Sequence, residues 1–183
     1  MLQPDDYWRN LMESIEAKTR YSSFIENMIE HAFISEIMQE AWIRNENTIE
    51  VLRSEVDDSG YDIVLSYGNI TRFIQLKTSE QDGKTSKQKL NLSLSKRENG
   101  CIVWIVRSID TSTMRFKFRY RFFGSRIGGE FPDVSSYNIS RHSKADSKGE
   151  KKERGNFRDV PKGEFAEIEN ISELFSWLFH ISR

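Results

Sequence analysis

Three polar residues in two neighbouring apolar runs form the strongest candidate site in this sequence. Asp62 lies at the start of the first run, residues 61–67, while Gln75 and Lys77 lie on the second, residues 71–78. Residues two apart on a strand point to the same face, so Gln75 and Lys77 project side by side. An unpaired lysine is costly to bury in an apolar segment. A carboxylate, an amide and an ammonium group gathered in this way indicate a site rather than a core.

These groups suit the hydrolysis of a phosphodiester bond. That reaction requires a water in line with the phosphorus and neutralisation of the charge that develops on the oxygens. A divalent metal ion provides both, and magnesium needs few protein ligands because it keeps several waters. Asp62, the backbone carbonyl of Leu76 and a helix glutamate would supply its ligands. Lys77 would polarise the phosphate or orient the attacking water, and Gln75 would hydrogen-bond a water.

The elements around these residues are predicted to be strands. Gly68 and Asn69 separate the two apolar runs and suit the two-residue turn of a β-hairpin. Residues 48–53 predict a preceding strand, and the continuous apolar run 101–106 predicts a central strand covered on both faces. In residues 90–94 leucine alternates with polar residues, which suits either an amphipathic strand or a short helix.

A helix is predicted upstream of the hairpin, over residues 23–44. Its apolar residues change sides along its length, which favours burial between two layers. At about 100° per residue, Glu30 and Glu36 each fall on a side of the helix that is locally apolar. Either glutamate is therefore placed to point inward at a site, whereas Glu26 and Glu40 are easier to leave in solvent.

Composition bounds the class of protein. The chain has 183 residues, of which 37% are hydrophobic and 30% charged, and residues 1–183 are expected to form one globular domain. No apolar run reaches membrane-spanning length, and no secretory signal is visible. A single cysteine, Cys101, excludes an internal disulfide and disfavours a cysteine-based zinc site. A cytoplasmic protein is expected.

Charge is distributed unevenly along the chain. Residues 1–62 hold 14 acidic and 5 basic side chains, whereas residues 63–163 hold 21 basic and 10 acidic ones. This asymmetry is compatible with a basic face that meets a nucleic acid; the alternative is that the two parts neutralise each other in the fold. The candidate nucleic-acid-binding residues are Lys84, Lys87, Lys89, Lys96, Arg141 and Lys144.

Three later segments carry further predictions. Residues 116–123 alternate aromatic and basic side chains, which suits either contact with a phosphate backbone or an edge strand protected by its charges. Residues 137–162 are polar and basic, and we predict either an arm that orders on DNA or a surface loop. A final helix is predicted over residues 171–181, capped by Asn170 and Glu173, with an apolar stripe that packs on the domain.

The order of the candidate residues resembles the PD-(D/E)XK nuclease superfamily, to which restriction endonucleases and Holliday-junction resolvases belong. A helix glutamate is followed by G-Y-D opening a strand and, thirteen residues after Asp62, by Q-L-K on the next strand. In that superfamily the aspartate and the acid of the D/E-X-K triplet bind metal, and the lysine is catalytic. Two residues depart from the pattern: Tyr61 replaces the proline, and Gln75 replaces the acid, as in the Q-X-K branches that are active.

The resemblance covers about residues 23–106 and implies a restriction-endonuclease-like α/β (α+β) fold, a mixed central sheet flanked by helices. It assigns catalytic roles to Asp62, Gln75, Lys77 and Glu30, with Glu36 as the alternative glutamate. It implies Mg²⁺ or Mn²⁺ as the cofactor and DNA as the substrate.

Three functions therefore stand beside one another. The favoured one is a metal-dependent DNA endonuclease, and the resemblance alone adds a setting in phage defence or restriction. Whether such an enzyme works as a homodimer or in a larger defence complex is left open. The second function is a nuclease-like domain that binds nucleic acid without cutting it, and the third is an interaction module whose polar hairpin residues satisfy one another.

Overall fold

The computed structural model describes residues 20–45, 48–54, 59–142 and 149–179. Within these residues it contains three α-helices, nine β-strands and one short 3₁₀ turn. In chain order the elements are α1 (Ser22–Ile43), β1 (Glu50–Arg53), β2 (Ile63–Tyr67), β3 (Ile70–Glu80), β4 (Lys87–Asn91), α2 (Leu92–Ser95), β5 (Gly100–Asp110), β6 (Arg115–Gly124), β7 (Ile139–Arg141), β8 (Glu153–Pro161), the 3₁₀ turn (Lys162–Glu164), β9 (Ala166–Ile168) and α3 (Ile171–Phe179).

The strands form two sheets. The larger sheet has six strands in the order β1-β2-β3-β5-β6-β9, and the smaller has three in the order β4-β8-β7. In the larger sheet β3 and β5 are parallel and the other neighbours are antiparallel. The predicted mixed sheet accompanied by helices is confirmed.

The predicted hairpin is present as β2 and β3. Tyr67 pairs with Ile70 across the turn, and Gly68 adopts a φ of 56°, a left-handed value that glycine takes without a steric penalty. The register continues to Ile63 opposite Ile74. This hairpin fixes where the residues before β2 meet the middle of β3.

Strand β5 is the centre of the larger sheet, as its apolar run predicted. It pairs with β3 on one side and β6 on the other, and residues 101–105 are buried. Burial of each large apolar side chain here contributes about 1.5–3 kcal/mol.

Each face of the larger sheet is covered by a different element. On one face the Tyr67 ring lies 5.8 Å from that of Phe179, which belongs to α3. On the other face Trp104 packs edge-on against Phe165, with 5.2 Å between ring centroids, and Leu90 and Val160 of the smaller sheet join the same apolar cluster. We call the face that bears Trp104 the inner face, because it lies between the two sheets.

Helix α1 spans the boundary between two compact units, residues 1–36 and 37–183. Whether the chain is a single domain stays a prediction. The helix buries one stripe at four-residue spacing, Ile29, Phe33, Ile37 and Ala41. The prediction that it is buried between layers is wrong, because Trp42 and other apolar residues of α1 are exposed.

Two strands lie in the basic stretch 137–162, for which we predicted an arm or a surface loop. That prediction is wrong for β7 and β8, which pair with each other and with β4. The strands have few apolar residues, and they are joined instead by a polar contact. Asp159 of β8 is only 8% exposed and accepts hydrogen bonds from Lys87 Nζ and Ser140 Oγ, each at 2.5 Å.

The remaining local predictions hold. Residues 90–94 adopt both alternatives, because β4 ends at Asn91, whose Oδ1 accepts the Ser93 N–H at 3.0 Å and caps α2. The final helix is confirmed over Ile171–Phe179, and Asn170 Oδ1 accepts the Glu173 N–H at 2.9 Å. Its predicted end at 181 lies outside the described residues. In the described part of the chain no helix is both long and apolar enough to cross a membrane.

Candidate active site

The hairpin brings Asp62 against the middle of β3, as the sequence predicted. Asp62 immediately precedes β2, and its backbone N–H donates to the carbonyl of Ile74 at 2.9 Å. Its carboxylate Oδ2 accepts the N–H of Leu76 at 2.6 Å. The carboxylate is therefore bonded to the residue that separates Gln75 from Lys77.

The backbone of β3 offers a second oxygen at this place. In a β-strand the N–H and C=O of one residue face the same neighbour. Because the Leu76 N–H donates to Asp62, the Leu76 carbonyl faces the edge of β3 on which Asp62 lies. The carbonyl that was predicted as a metal ligand is thus on the correct side of the strand.

Gln75 is a buried amide with an unused acceptor. It is 4% exposed, and Oε1 has no hydrogen-bond partner among the described residues. Such an atom costs about 1–3 kcal/mol relative to a satisfied one. In the described ranges, the other buried side-chain atoms without a hydrogen-bond partner are nitrogens of Arg72 and Gln88. Gln75 Oε1 is therefore the one acceptor among these unpartnered atoms.

Lys77 shares the inner face with Gln75. Gln75 lies in register with Ile102 and Lys77 with Trp104 of β5, and paired residues on neighbouring strands point to one face. Lys77 is half-buried. The ammonium-bearing residue therefore lies beside the amide, one same-face position further along β3.

The loop before Asp62 is held by contacts that the sequence did not predict. Gly60 has a φ of 77°, and a Cβ added there would lie 3.1 Å from both the Asn91 side chain and the Leu94 backbone nitrogen. The Tyr61 ring packs edge-on against Phe73 at 5.1 Å. Asp62 is therefore positioned by a close backbone approach to α2 and by an aromatic contact on β3. The glycine in G-Y-D was the available signal.

No family model matches the chain, and no curated protein or solved structure matches it significantly. The resemblance to PD-(D/E)XK nucleases thus rests on the spacing of Asp62, Gln75 and Lys77 and on the hairpin that carries them.

The donor set fits a hard divalent ion that keeps most of its waters. Asp62 offers a carboxylate and Leu76 a carbonyl, and the unused amide oxygen of Gln75, on the same hairpin, is an acceptor for one of those waters. Oxygen donors of this kind are those that Mg²⁺ takes, with one or two carboxylates often sufficient. Over the ranges that the structure describes, no group of three or more His, Cys, Asp or Glu side chains is placed to hold a metal. Zinc prefers nitrogen and sulfur ligands, whereas the carboxylate and carbonyl groups of this hairpin offer only oxygen.

Glu30 and Glu36 lie in the N-terminal unit. Both side chains are half-buried, so burial does not separate the two candidates, and their assignment stays a prediction. Glu40, which we expected in solvent, is 11% exposed and pairs with Arg44 at 2.7 Å. The hydrogen bond from Arg44 lowers the pKa of the Glu40 carboxyl, against the opposing effect of burial.

Cys101 takes no part in the site. The thiol is free and buried on β5, and burial raises its pKa against the opposing charge of Arg72. A protonated thiol inside a sheet is a packing group, as predicted.

The predicted basic residues divide into two groups. Lys87 pairs with Asp159, Lys89 Nζ donates to the Arg141 carbonyl at 3.0 Å, and Arg141 itself pairs with Glu153 at 3.5 Å. These three residues tie the smaller sheet together. Lys84 and Lys96 are exposed, and Lys144 lies outside the described residues.

On the cationic face of β6, some basic side chains form ion pairs and others are exposed. Lys117 and Arg119 are exposed, whereas Arg121 pairs with Glu167 of β9 at 2.5 Å. The alternative that β6 is an edge strand is wrong for Tyr120–Phe122, which pair with β9. Residues 115–119 pair with β5 alone in the described sheet.

Proposed function

We propose that this protein is a metal-dependent nuclease that hydrolyses phosphodiester bonds in DNA. The observation that carries the proposal is the contact of the Asp62 carboxylate with the Leu76 N–H, at 2.6 Å, between Gln75 and Lys77. It supports a site in which one carboxylate, one amide and one ammonium group lie at neighbouring positions of the hairpin. A role in phage defence or restriction, and a cytoplasmic setting, stay predictions.

Each residue of the site has a distinct task in this proposal. The Asp62 carboxylate and the Leu76 carbonyl would hold a divalent ion, Mg²⁺ or Mn²⁺. Such an ion, when bound, supplies positive charge to the phosphate and lowers the pKa of a water. The buried Gln75 Oε1 accepts a hydrogen bond from the attacking water and so fixes its direction. Lys77 neutralises charge on the phosphate oxygens as the bond breaks.

The assay is cleavage of plasmid DNA with Mg²⁺ or Mn²⁺, with chelator as the blank. Asp62→Asn keeps an acceptor for the Leu76 N–H but removes the negative charge, and Lys77→Ala removes the ammonium group. We expect each variant to lose cleavage by on the order of 100-fold or more while its thermal unfolding stays that of the wild type.

The matched control for Asp62→Asn is Asp110→Asn. Asp110 ends β5 far along the sheet, and its Oδ1 accepts the Ser112 N–H at 2.8 Å, a bond that asparagine also makes. This variant should cleave like the wild type. Wild-type cleavage by both Asp62→Asn and Lys77→Ala would refute the nuclease assignment.

A second function is favoured by one specific observation. Gln75 contributes no charge, and the described residues contain no three-ligand cluster of acids, histidines or cysteines. A domain that binds DNA through its basic residues without cutting it would fit this neutral position. It would show binding that weakens steeply with salt and no cleavage with either metal; cleavage that disappears on chelation would exclude it.

A further inference from the structure

A small cavity opens on the inner face of the larger sheet, next to the candidate site. Its volume is about 200 Å³. Its lining includes Ser79, Trp104, Arg119, Arg121, Lys162 and Glu167. We call this cavity the Trp104 cleft.

The cleft is continuous with the row of residues that carries Lys77. Lys77 is in register with Trp104 on β5, and Trp104 is in register with Arg121 on β6. Ser79, which lines the cleft, is the next same-face residue after Lys77 on β3. A polymer that contacts Lys77 and runs across the strands would therefore pass over the cleft.

The charges that line the cleft do not cancel. Two carboxylates line it, and each is already paired: Glu80 with Arg107 at 2.8 Å and Glu167 with Arg121 at 2.5 Å. Arg119 and Lys162 also line it, both are exposed, and neither has a carboxylate partner among the described residues. The cleft therefore holds two cations whose charge is not compensated by a neighbouring side chain.

Besides its two paired carboxylates, the cleft carries hydrogen-bond donors that can face a ligand. Ser79 Oγ accepts the Trp104 Nε1–H at 2.8 Å, which leaves the serine hydroxyl proton free to donate. Arg119 presents a planar fork of donors that matches two oxygens of a phosphate. The cavity is smaller than the roughly 300–1,000 Å³ that organic ligands of drug size occupy. Its size and donors fit a phosphate group rather than a whole cofactor.

We propose that the Trp104 cleft is a phosphate-binding site, in which Arg119 and Lys162 hold the phosphate and Ser79 donates to it. The phosphate comes either from the backbone of a nucleic acid that also reaches Lys77, which rests on the proposed function, or from a free phosphate or mononucleotide. Both sources share one chemistry, and the experiment separates them.

The test compares two double variants that each remove two positive charges. The cleft variant carries Arg119→Gln and Lys162→Gln. The control variant carries Arg126→Gln and Lys151→Gln, which change exposed cations elsewhere. Arg126 lies over Trp177 of α3, on the opposite face of the larger sheet. Binding of a short DNA duplex is measured in chelator at several salt concentrations. We expect the cleft variant to bind about tenfold more weakly at low salt, with a slope of log K against log salt smaller by about 1.8, since each phosphate contact contributes about 0.9. Equal slopes for the two double variants would exclude the nucleic-acid backbone as the source, and together with a Trp104 signal that inorganic phosphate and a mononucleotide leave unmoved they would overturn the proposal.

The NMR signal of the Trp104 indole N–H should change its chemical shift when a ligand enters the cleft. The Trp104→Phe variant, which lacks this signal, assigns it. In the wild type it should shift on addition of the DNA duplex, and it should stay in place in the cleft variant. A shift with inorganic phosphate or a mononucleotide as well identifies the free-phosphate source, whereas a shift with the duplex alone identifies the nucleic-acid backbone. A Trp104 signal that none of these ligands moves overturns the proposal.

The outcome is independent of catalysis. If the wild type fails to cleave DNA but the Trp104 signal responds, the nuclease assignment is wrong and the cleft assignment stands. If cleavage depends on Asp62 and Lys77 but the Trp104 signal is unchanged, the cleft assignment alone is wrong.

Discussion

Replacing Gln75 with methionine should make the protein more stable and less active at the same time. Gln75 Oε1 is buried without a hydrogen-bond partner among the described residues, which costs about 1–3 kcal/mol. Methionine has a similar length, and a volume-conserving exchange costs less than about 1.5 kcal/mol. We therefore expect a net gain of about 1 kcal/mol in the free energy of unfolding, which corresponds to a rise in Tm of about 2–4 °C for a chain of this size.

Activity should change in the opposite direction. If Oε1 directs the attacking water, its removal leaves that water without an acceptor and lowers cleavage by on the order of 100-fold. DNA binding in chelator should be unchanged, because the basic residues are intact. A functional group retained at a cost in stability gives this combination of effects.

The assays are urea unfolding, in which the midpoint should rise with an unchanged m value, and plasmid cleavage by the same preparations. Gln88→Met is the matched control, because Gln88 also carries a buried amide atom without a partner in the described structure but has no role in the proposed site. It should raise stability and leave cleavage unchanged. A less stable Gln75→Met protein, or a more stable one that cleaves like the wild type, would refute the reasoning.

Two further predictions concern the supports of the site and of the smaller sheet. Gly60→Ala should lower stability by about 1–3 kcal/mol and reduce cleavage, because φ is 77° and the new Cβ would lie 3.1 Å from Asn91. Gly68→Ala is the control: its φ is 56° but the space around it is open, so it should lower stability without affecting cleavage. Thermal unfolding and plasmid cleavage measure the two effects. Burial raises the pKa of Asp159, but the hydrogen bonds from Lys87 and Ser140 outweigh it and the net shift is downward. The stabilisation that the ionised Asp159 carboxylate gives to the folded state is therefore present above about pH 4 and is lost as the pH falls through the folded-state pKa. In urea unfolding at pH 7, Asp159→Asn should be less stable than the wild type by about 1–3 kcal/mol. This difference should become smaller towards about pH 3.

The parts of the fold that the sequence predicted are those with a local apolar signal. The run 101–106 is continuous and apolar, and it became the central strand. The hairpin followed from the Gly68 turn between two apolar runs, and the C-terminal helix from the Asn170 cap. In each case a short stretch contains the apolar residues that are buried, and in the hairpin and the helix it also contains the residue that sets where the element turns or begins.

The parts that the sequence did not predict depend on partners distant in the chain. Strand β8 looks like a loop because its stabilising contacts are Lys87 and Ser140, which meet Asp159 only after the sheet has formed. Helix α1 has apolar residues on several sides, and periodicity cannot say which of them the fold covers.

The candidate site shows the same division. The contact between Asp62 and β3 follows from the hairpin register, so its position was predictable from the turn. The unused acceptor of Gln75 and the tight approach at Gly60 arise from packing against α2 and β5. No local pattern contains that information. The pairing of Glu167 with Arg121 was hidden for the same reason.

The pairing of β4 with β8 has a consequence for the order in which the protein folds. Lys87 pairs with Pro161 and Asn91 with Phe157, so β4 waits for a partner that is synthesised about seventy residues later. The hairpin and β5 can assemble from the emerging chain well before that point, because their contacts are closer in sequence. Until β8 arrives, the face that carries Gln75 and Lys77 is wet and β4 has an open edge. If the proposed site is catalytic, the dry surroundings that would strengthen its electrostatic interactions are therefore acquired only once β8 has been synthesised. A chain that ends before residue 153 should then fold its hairpin without gaining a working site.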